Sequence, residues 1–260
     1  AERPLPPPIE IPDLPRTINK VAKDDLTQST VLLGHKGIRN DDPSFAGIMV
    51  ANEILGGGFA SRLFKEVRSN RGWAYSVGSA PGTGWEYPGM FVAFTMTKNS
   101  TVQQSVDVIL AEVARMVDEP VSDAELGRAR DQILNSEVFN YDTKREVLDR
   151  LVLFEMYGYP ADFLQRYQDA VRQLTPAAVQ AAARAVWHPD QLSILAVGND
   201  AEWDGDLGKF GPVNEIDIAI PEPKMQLAIP AATPESLARG RELMARLREK
   251  SGGKKLDALK

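Results

Sequence analysis

The sequence has 260 residues, 43% of them hydrophobic and 25% charged, with 20 Gly and 18 Pro, which is the composition of an ordinary folded protein with a sizeable core. Thirty Lys and Arg against 36 Asp and Glu give a net charge of −6, which argues against an electrostatic grip on nucleic acid or anionic lipid. The absence of cysteine excludes disulfides, thiolate zinc sites, iron–sulfur clusters and a cysteine nucleophile, and the apolar runs are too short to span a bilayer.

Residues 1–15, with Pro4, Pro6, Pro7, Pro8, Pro12 and Pro15, are too proline-dense for a helix or a central strand and read as an extended linker. Such an opening implies a preceding domain, signal peptide or spacer. Residues 17–22 and 27–35 read as strands joined by the polar turn Lys23-Asp24-Asp25, so a hairpin is expected. From Asp42-Pro43 the period changes. Phe45, Ile48, Met49 and Leu55 share one side of a helix with proline just inside its start, and Gly56-Gly57-Gly58 ends it. A second short helix from Ser61 turns Leu63, Phe64 and Val67 inward and closes at Asn70-Arg71-Gly72. Residues 73–79 and 90–97 read as strands around a Gly/Pro-rich loop over 81–89.

Nearly ninety helical residues follow. Val102, Val106, Ile109, Val113 and Met116 make one apolar stripe, ended by Pro120; a Ser122-x-x-Glu125 capping box opens the next helix, continued by Leu126, Ile133 and Leu134. Val147, Leu148, Leu151, Val152 and Phe154 form a third apolar face, and Phe163, Leu164, Tyr167, Val171 and Leu174 a fourth. Thr175-Pro176 opens a fifth helix through Val186, and residues 192–197 read as a buried strand. The order predicts an α+β domain over residues 16–220, a mainly antiparallel sheet covered by helices on one face. Residues 221–260 form a C-terminal extension with an amphipathic helix carrying Leu237, Leu243, Met244 and Leu247.

The usual catalytic and nucleotide signatures are missing. The two imidazoles, His35 and His188, are far apart in sequence and sit in neither a His-x-x-x-His nor a His-x-x-Glu-His spacing. The densest informative stretch is residues 55–77, where a triple-glycine turn feeds a short helix ending at Arg68, with Tyr75 seven residues later on a strand. Helix, turn and strand can bring these side chains together. A guanidinium offers forked donors to peptide carbonyls, and a phenol offers one donor to an oxygen developing negative charge. Taken alone the pair is weak, since an arginine near a helix end is usually solvated and a strand tyrosine usually packs on its sheet.

The run Leu55-Gly56-Gly57-Gly58, Ser61-Arg62-Leu63-Phe64, Val67-Arg68 and Arg71-Gly72-Trp73-Ala74-Tyr75-Ser76-Val77 resembles the second-half signature of the insulinase (pitrilysin) type zinc metallopeptidases. The bacterial branch related to mitochondrial processing peptidase is the nearest in pattern, and the order of elements fits over residues 15–215. The resemblance implies two homologous halves facing each other across a chamber. One holds zinc on His-x-x-Glu-His, which this sequence lacks; the other supplies an arginine and a tyrosine at the spacing of Arg68 and Tyr75. It further implies no cofactor or metal in this chain, zinc in a homologous partner half, and an extended peptide as substrate. Tyr75 would donate to the scissile carbonyl oxygen and Arg68 would hold the substrate backbone, while His35 is not a ligand and the glycine run is a close-packing turn between helices. The alternatives are a non-proteolytic scaffold and a peptide-binding module of the same fold. Absence of cysteine and the proline-rich opening fit an exported, periplasmic bacterial protein.

Overall fold

In the computed structural model, which describes residues 10–219 and 231–252, six strands hydrogen-bond into one sheet. They are β1 (Ile18–Ala22), β2 (Gln28–Lys36), β4 (Ala74–Ala80), β6 (Met90–Lys98), β7 (Ser193–Gly198) and β8 (Val213–Glu215), in spatial order β4-β6-β2-β7-β1-β8. The short β3 (Ile38–Arg39) and β5 (Thr83–Gly84) pair with each other in parallel. Period-two burial sets the layer. Val31, Leu33, Phe91, Ala93, Ile194 and Ala196 are buried on one face, whereas Leu32, Met90 and Met96 on the other are 37%, 66% and 40% exposed. The buried face lies under α1 (Phe45–Asn52), α2 (Val102–Asp118), α3 (Asp123–Ser136), α5 (Phe163–Gln173) and α6 (Pro176–Val186), whose apolar stripes join the same core. The α+β architecture with a mainly antiparallel sheet is as expected, the β1–β7 and β1–β8 pairs being parallel.

The opening hairpin does not form. β7 lies between β1 and β2, parallel to the first and antiparallel to the second, with Ile18 opposite Ile194 and Leu33 opposite the same residue from the other side. The turn after β1 crosses the end of β7, where Lys23 N donates to Gly198 O at 2.8 Å. An apolar strand distant in sequence gains two hydrogen-bonded edges there, which a local hairpin would leave unused. Pro43 precedes α1 rather than entering it: Asp42 Oδ1 accepts from Ser44 N at 2.7 Å and the helix starts at Phe45. α4 (Lys144–Tyr157) also differs, for Phe154 alone of its expected apolar face is buried, and Val147, Leu148, Leu151 and Val152 are exposed.

The chain divides into two compact units after Ile218. The second carries α7 (Pro234–Lys250), started by Thr233, whose Oγ1 accepts from Ser236 N at 3.1 Å, with Leu237, Leu243, Met244 and Leu247 exposed along it. Of the expected linker, residues 1–9 lie outside the described residues, as do 220–230 and 253–260 of the extension. Residues 10–15 run extended, held by Lys36, which donates to Ile11 O and pairs with Asp13 at 2.6 Å.

Two constraints fix the segment between α1 and β4. The chain leaves α1 through a π-helical turn, Glu53–Gly57, and Gly56 lies on the backbone of β4: a Cβ there would stand 2.7 Å from the Gly78 carbonyl carbon. Gly56 thus makes a helix-to-strand contact, while the run as a whole closes one helical segment ahead of the next, Phe64–Ser69, as the sequence pattern implies. After it, Arg62, 8% exposed, makes a bidentate pair with Glu125 (Nε to Oε1 2.8 Å, Nη2 to Oε2 3.2 Å) and lies 4.0 Å from Glu112. Glu125 also closes the capping box of α3 with Ser122. Burial alone would push the Glu125 carboxyl up, but the Arg62 and Ser122 hydrogen bonds and the Arg62 charge outweigh it and bring it down to about 2.

Replacing Gly56 with alanine should force the π-helical turn off the rigid strand backbone and cost roughly 1–3 kcal/mol, read as a lower urea midpoint; an unchanged midpoint would show that the contact carries no constraint. Arg62→Met leaves Glu125 without its cation, Glu112 keeping Arg115 at 3.1 Å, and should cost about 3–5 kcal/mol at neutral pH. Because the folded-state Glu125 carboxyl is depressed, its stabilisation is complete above about pH 4.5 and is lost as pH falls toward 2. Urea titrations across that window should show the wild-type and Arg62→Met stabilities converging, and a constant gap would contradict the pairing.

Candidate functional site

A second π-helical segment, Phe64–Ser69, carries Arg68 at its end. Gly72 terminates it with φ +62°, a left-handed conformation that glycine adopts without strain, and its N–H donates to Arg68 O at 3.0 Å. Trp73 then turns the chain into β4, its carbonyl accepting from Lys98 N at 3.1 Å and from the buried Thr97 hydroxyl at 3.2 Å. Thr97 in turn bonds the hydroxyls of Thr101 (2.8 Å) and Ser105 (3.1 Å) at the start of α2. The entry to β4 is therefore pinned to β6 and α2 by a satisfied buried network.

From that anchor the ladder is irregular. Ala74 stands opposite Thr97 and Ser76 opposite Met96, so Tyr75 is an extra residue with no partner of its own, a β-bulge. Its structural cause is burial: Ala74 and Val77 are both in the core though three residues apart, and only an inserted residue allows this in a period-two strand. Tyr75 is turned out, 72% exposed, rather than packed on the sheet as a strand tyrosine usually is. Among the described residues β4 is an edge strand that pairs with β6 alone. The π-helical turn after α1 covers the end of its other side at Gly78 and Ser79, where Asn52 Nδ2 donates to Ser79 O at 3.4 Å, so the end around Tyr75 is what remains for an incoming strand.

Arg68 and Tyr75 are brought together here. The Arg68 guanidinium carbon lies 5.7 Å from the Tyr75 ring centroid and 4.9 Å from that of Phe64, a stack that orients the fork while leaving its edge open. Neighbouring charge does not quench it, because Glu66 is taken up by Arg71 and Asn70. Arg68 and the phenol are both exposed at the start of this edge strand. The arrangement can hold peptide carbonyls and offer a hydroxyl donor. It contains no carboxylate or imidazole partner for Tyr75 among the described residues that would serve as a general base. Sequence reasoning found this pair but missed the bulge and the Arg62–Glu125 clamp, whose partners are 63 positions apart.

The two histidines, distant in sequence, meet with ring centroids 5.8 Å apart. His35 Nδ1 lies 2.6 Å from Lys36 O and must donate to it, while Nε2 accepts from His188 N at 3.2 Å. Both nitrogens are committed, and burial pushes the imidazole pKa down, keeping it neutral. With both His35 nitrogens engaged and the neighbouring Asp13 paired to Lys36, these residues do not fit a zinc site; among the described residues no group of three or more His, Cys, Asp or Glu could hold a metal ion.

The family model described as the peptidase M16 inactive domain matches residues 1–133. A Streptomyces coelicolor protein named as an uncharacterized zinc protease is 31% identical over 159 residues, 61% of this chain and 34% of that protein. A Helicobacter pylori protein named as a non-peptidase homolog is 26% identical over 182 residues, 69% of this chain and 42% of its own length. This chain thus spans about a third to two fifths of these relatives. Among solved structures, a peptidase M16 inactive domain from Pseudomonas fluorescens superimposes with a TM-score of 0.68 at 25% identity, covering 75% of this chain and 47% of that one. Half the sequence matches the family model and the fold is that of its solved member: the chain belongs to the peptidase M16 inactive-domain family.

Proposed function

We propose that this chain is the non-zinc half of a zinc-dependent endopeptidase, and that Arg68 and Tyr75 serve a site whose metal is held by a homologous half carrying His-x-x-Glu-His. The observation that carries this reading is the bulge-presented Tyr75 beside an unneutralised Arg68 at the start of an edge strand. The exposed Leu32, Met90 and Met96 on the uncovered sheet face support it, since an apolar sheet face calls for a covering partner. An extended peptide lies along β4 and uses its free backbone groups; Arg68 holds the peptide backbone, and Tyr75 donates its hydroxyl to the scissile carbonyl oxygen as that oxygen gains charge. In the partner half the zinc supplies the activated water.

The second reading, a scaffold of the same fold without peptidase function, is favoured by one observation, the Helicobacter pylori relative's name as a non-peptidase homolog. Tyr75→Phe separates the two. The ring and its stack on Arg68 survive, so folding should be unchanged; only the hydroxyl is lost. In the complex with a zinc-bearing half, kcat should fall about 10²–10³-fold with little change in KM. Arg68→Ala should raise KM as well, because a group that grips the peptide backbone acts on the ground state and the transition state alike. Near wild-type turnover for Tyr75→Phe would remove Tyr75 from the site and leave the scaffold reading as the better one.

A further inference from the structure

A second cavity, of about 270 Å³, opens beside β3 and β5 and shares no lining residue with the Arg68–Tyr75 site. Its floor is one interlocked set of rings. Trp85 lies 5.7 Å from Phe154 and 5.8 Å from Phe163, Phe45 lies 5.8 Å from Phe163, and Tyr167 lies 5.0 Å from Phe45, all centroid to centroid. Tyr159 fixes the Trp85 backbone with a 2.9 Å hydrogen bond to its carbonyl. Such a cup is rigid and apolar, built to receive a flat or bulky apolar group.

Three residues that line the same cavity carry a charge or an acceptor left unpaired among the described residues. Asn40 is 6% exposed and its Oδ1 is buried with no hydrogen-bond partner, an arrangement folding alone does not favour. Arg150, on α4, has its guanidinium carbon 5.8 Å from both the Trp85 and the Tyr141 ring centroids. It makes no ion pair among the described residues, and neither does Glu137, though both line this one cavity. A cation and an anion without ion-pair partners among the described residues, set around an aromatic floor, are complementary to a small zwitterion with an apolar body. The volume lies just below the usual range for small-molecule sites, about 300–1,000 Å³, so a nucleotide or large cofactor is too big.

We propose that this cavity binds a free α-amino acid with an aromatic or large aliphatic side chain. Arg150 takes the carboxylate, bidentate and oriented by its two flanking rings. Glu137 takes the ammonium, and the side chain fills the cup. A peptide terminus presents only one of the two charges on its end residue, so the pair of opposite charges selects the free amino acid. This assignment goes beyond the peptidase reading and does not rest on it.

The test is calorimetric titration of the full chain with L-phenylalanine, followed in parallel by tryptophan fluorescence as a report from Trp85. Saturable one-to-one binding is expected, with Kd of about 1 mM or tighter. L-Phenylalaninamide, N-acetyl-L-phenylalanine and L-alanine each lack one feature and should bind at least about tenfold more weakly. Arg150→Gln should remove the preference for L-phenylalanine over its amide, and Glu137→Gln the preference over the N-acetyl form. Absence of saturable binding to the wild-type chain at about 10 mM, tenfold above that limit, would overturn the proposal. So would equal affinity for phenylalanine, its amide and its N-acetyl derivative. These arms use the unaltered protein, so the outcome does not depend on any variant folding.

Discussion

The site depends on one packing constraint: Ala74 and Val77 must both reach the core from the same edge strand. They are three positions apart, and a regular strand would send one to each face. The chain resolves the conflict by leaving Tyr75 out of the ladder, opposite no partner. Burial of two small apolar side chains thereby projects a tyrosine outward, and the Trp73–Thr97–Thr101–Ser105 network keeps the irregularity at that position. The left-handed Gly72 then sets the distance back to Arg68. Core packing, a turn and an exposed pair are links of one chain of cause, and a shift of the bulge by one residue would separate Tyr75 from Arg68.

Two arginines six positions apart have opposite fates for electrostatic reasons. Arg62 is buried, so it needs the Glu125 fork and the nearby Glu112, and the pairing ties the turn after the glycine run to α2 and α3. Arg68 is exposed and stacked on aromatic faces, with the adjacent glutamate diverted to Arg71. The first builds the platform. The second keeps its charge because Arg71 and Asn70 take up Glu66.

Local signals were read from the sequence where the determinant was local. The four- and three-residue spacing of Val102, Val106, Ile109, Val113 and Met116 gave α2, and the Ser122/Glu125 pair gave the start of α3, because helix periodicity and capping act within one or two turns. The family-like run over residues 55–77 singled out Arg68 and Tyr75, which the fold brings together. Strand order was not legible, since β7 enters between β1 and β2 from more than 150 residues away. The bulge was equally hidden, for it arises from the partner strand as much as from β4. The apolar residues of α4 show the converse limit: periodicity marks a face without stating what covers it, and here only Phe154 finds the core.

The chain belongs to the M16 inactive-domain family, and in the proposed function it is one half of a shared site. The most direct measurement is peptide hydrolysis by a purified half carrying His-x-x-Glu-His, by this chain, and by the two mixed at rising concentrations of this chain. Division of the site between halves predicts negligible turnover by either alone and activity that rises and saturates as the chain is added. Turnover by the zinc half that saturating amounts of this chain leave unchanged, or hydrolysis by this chain alone, would contradict it.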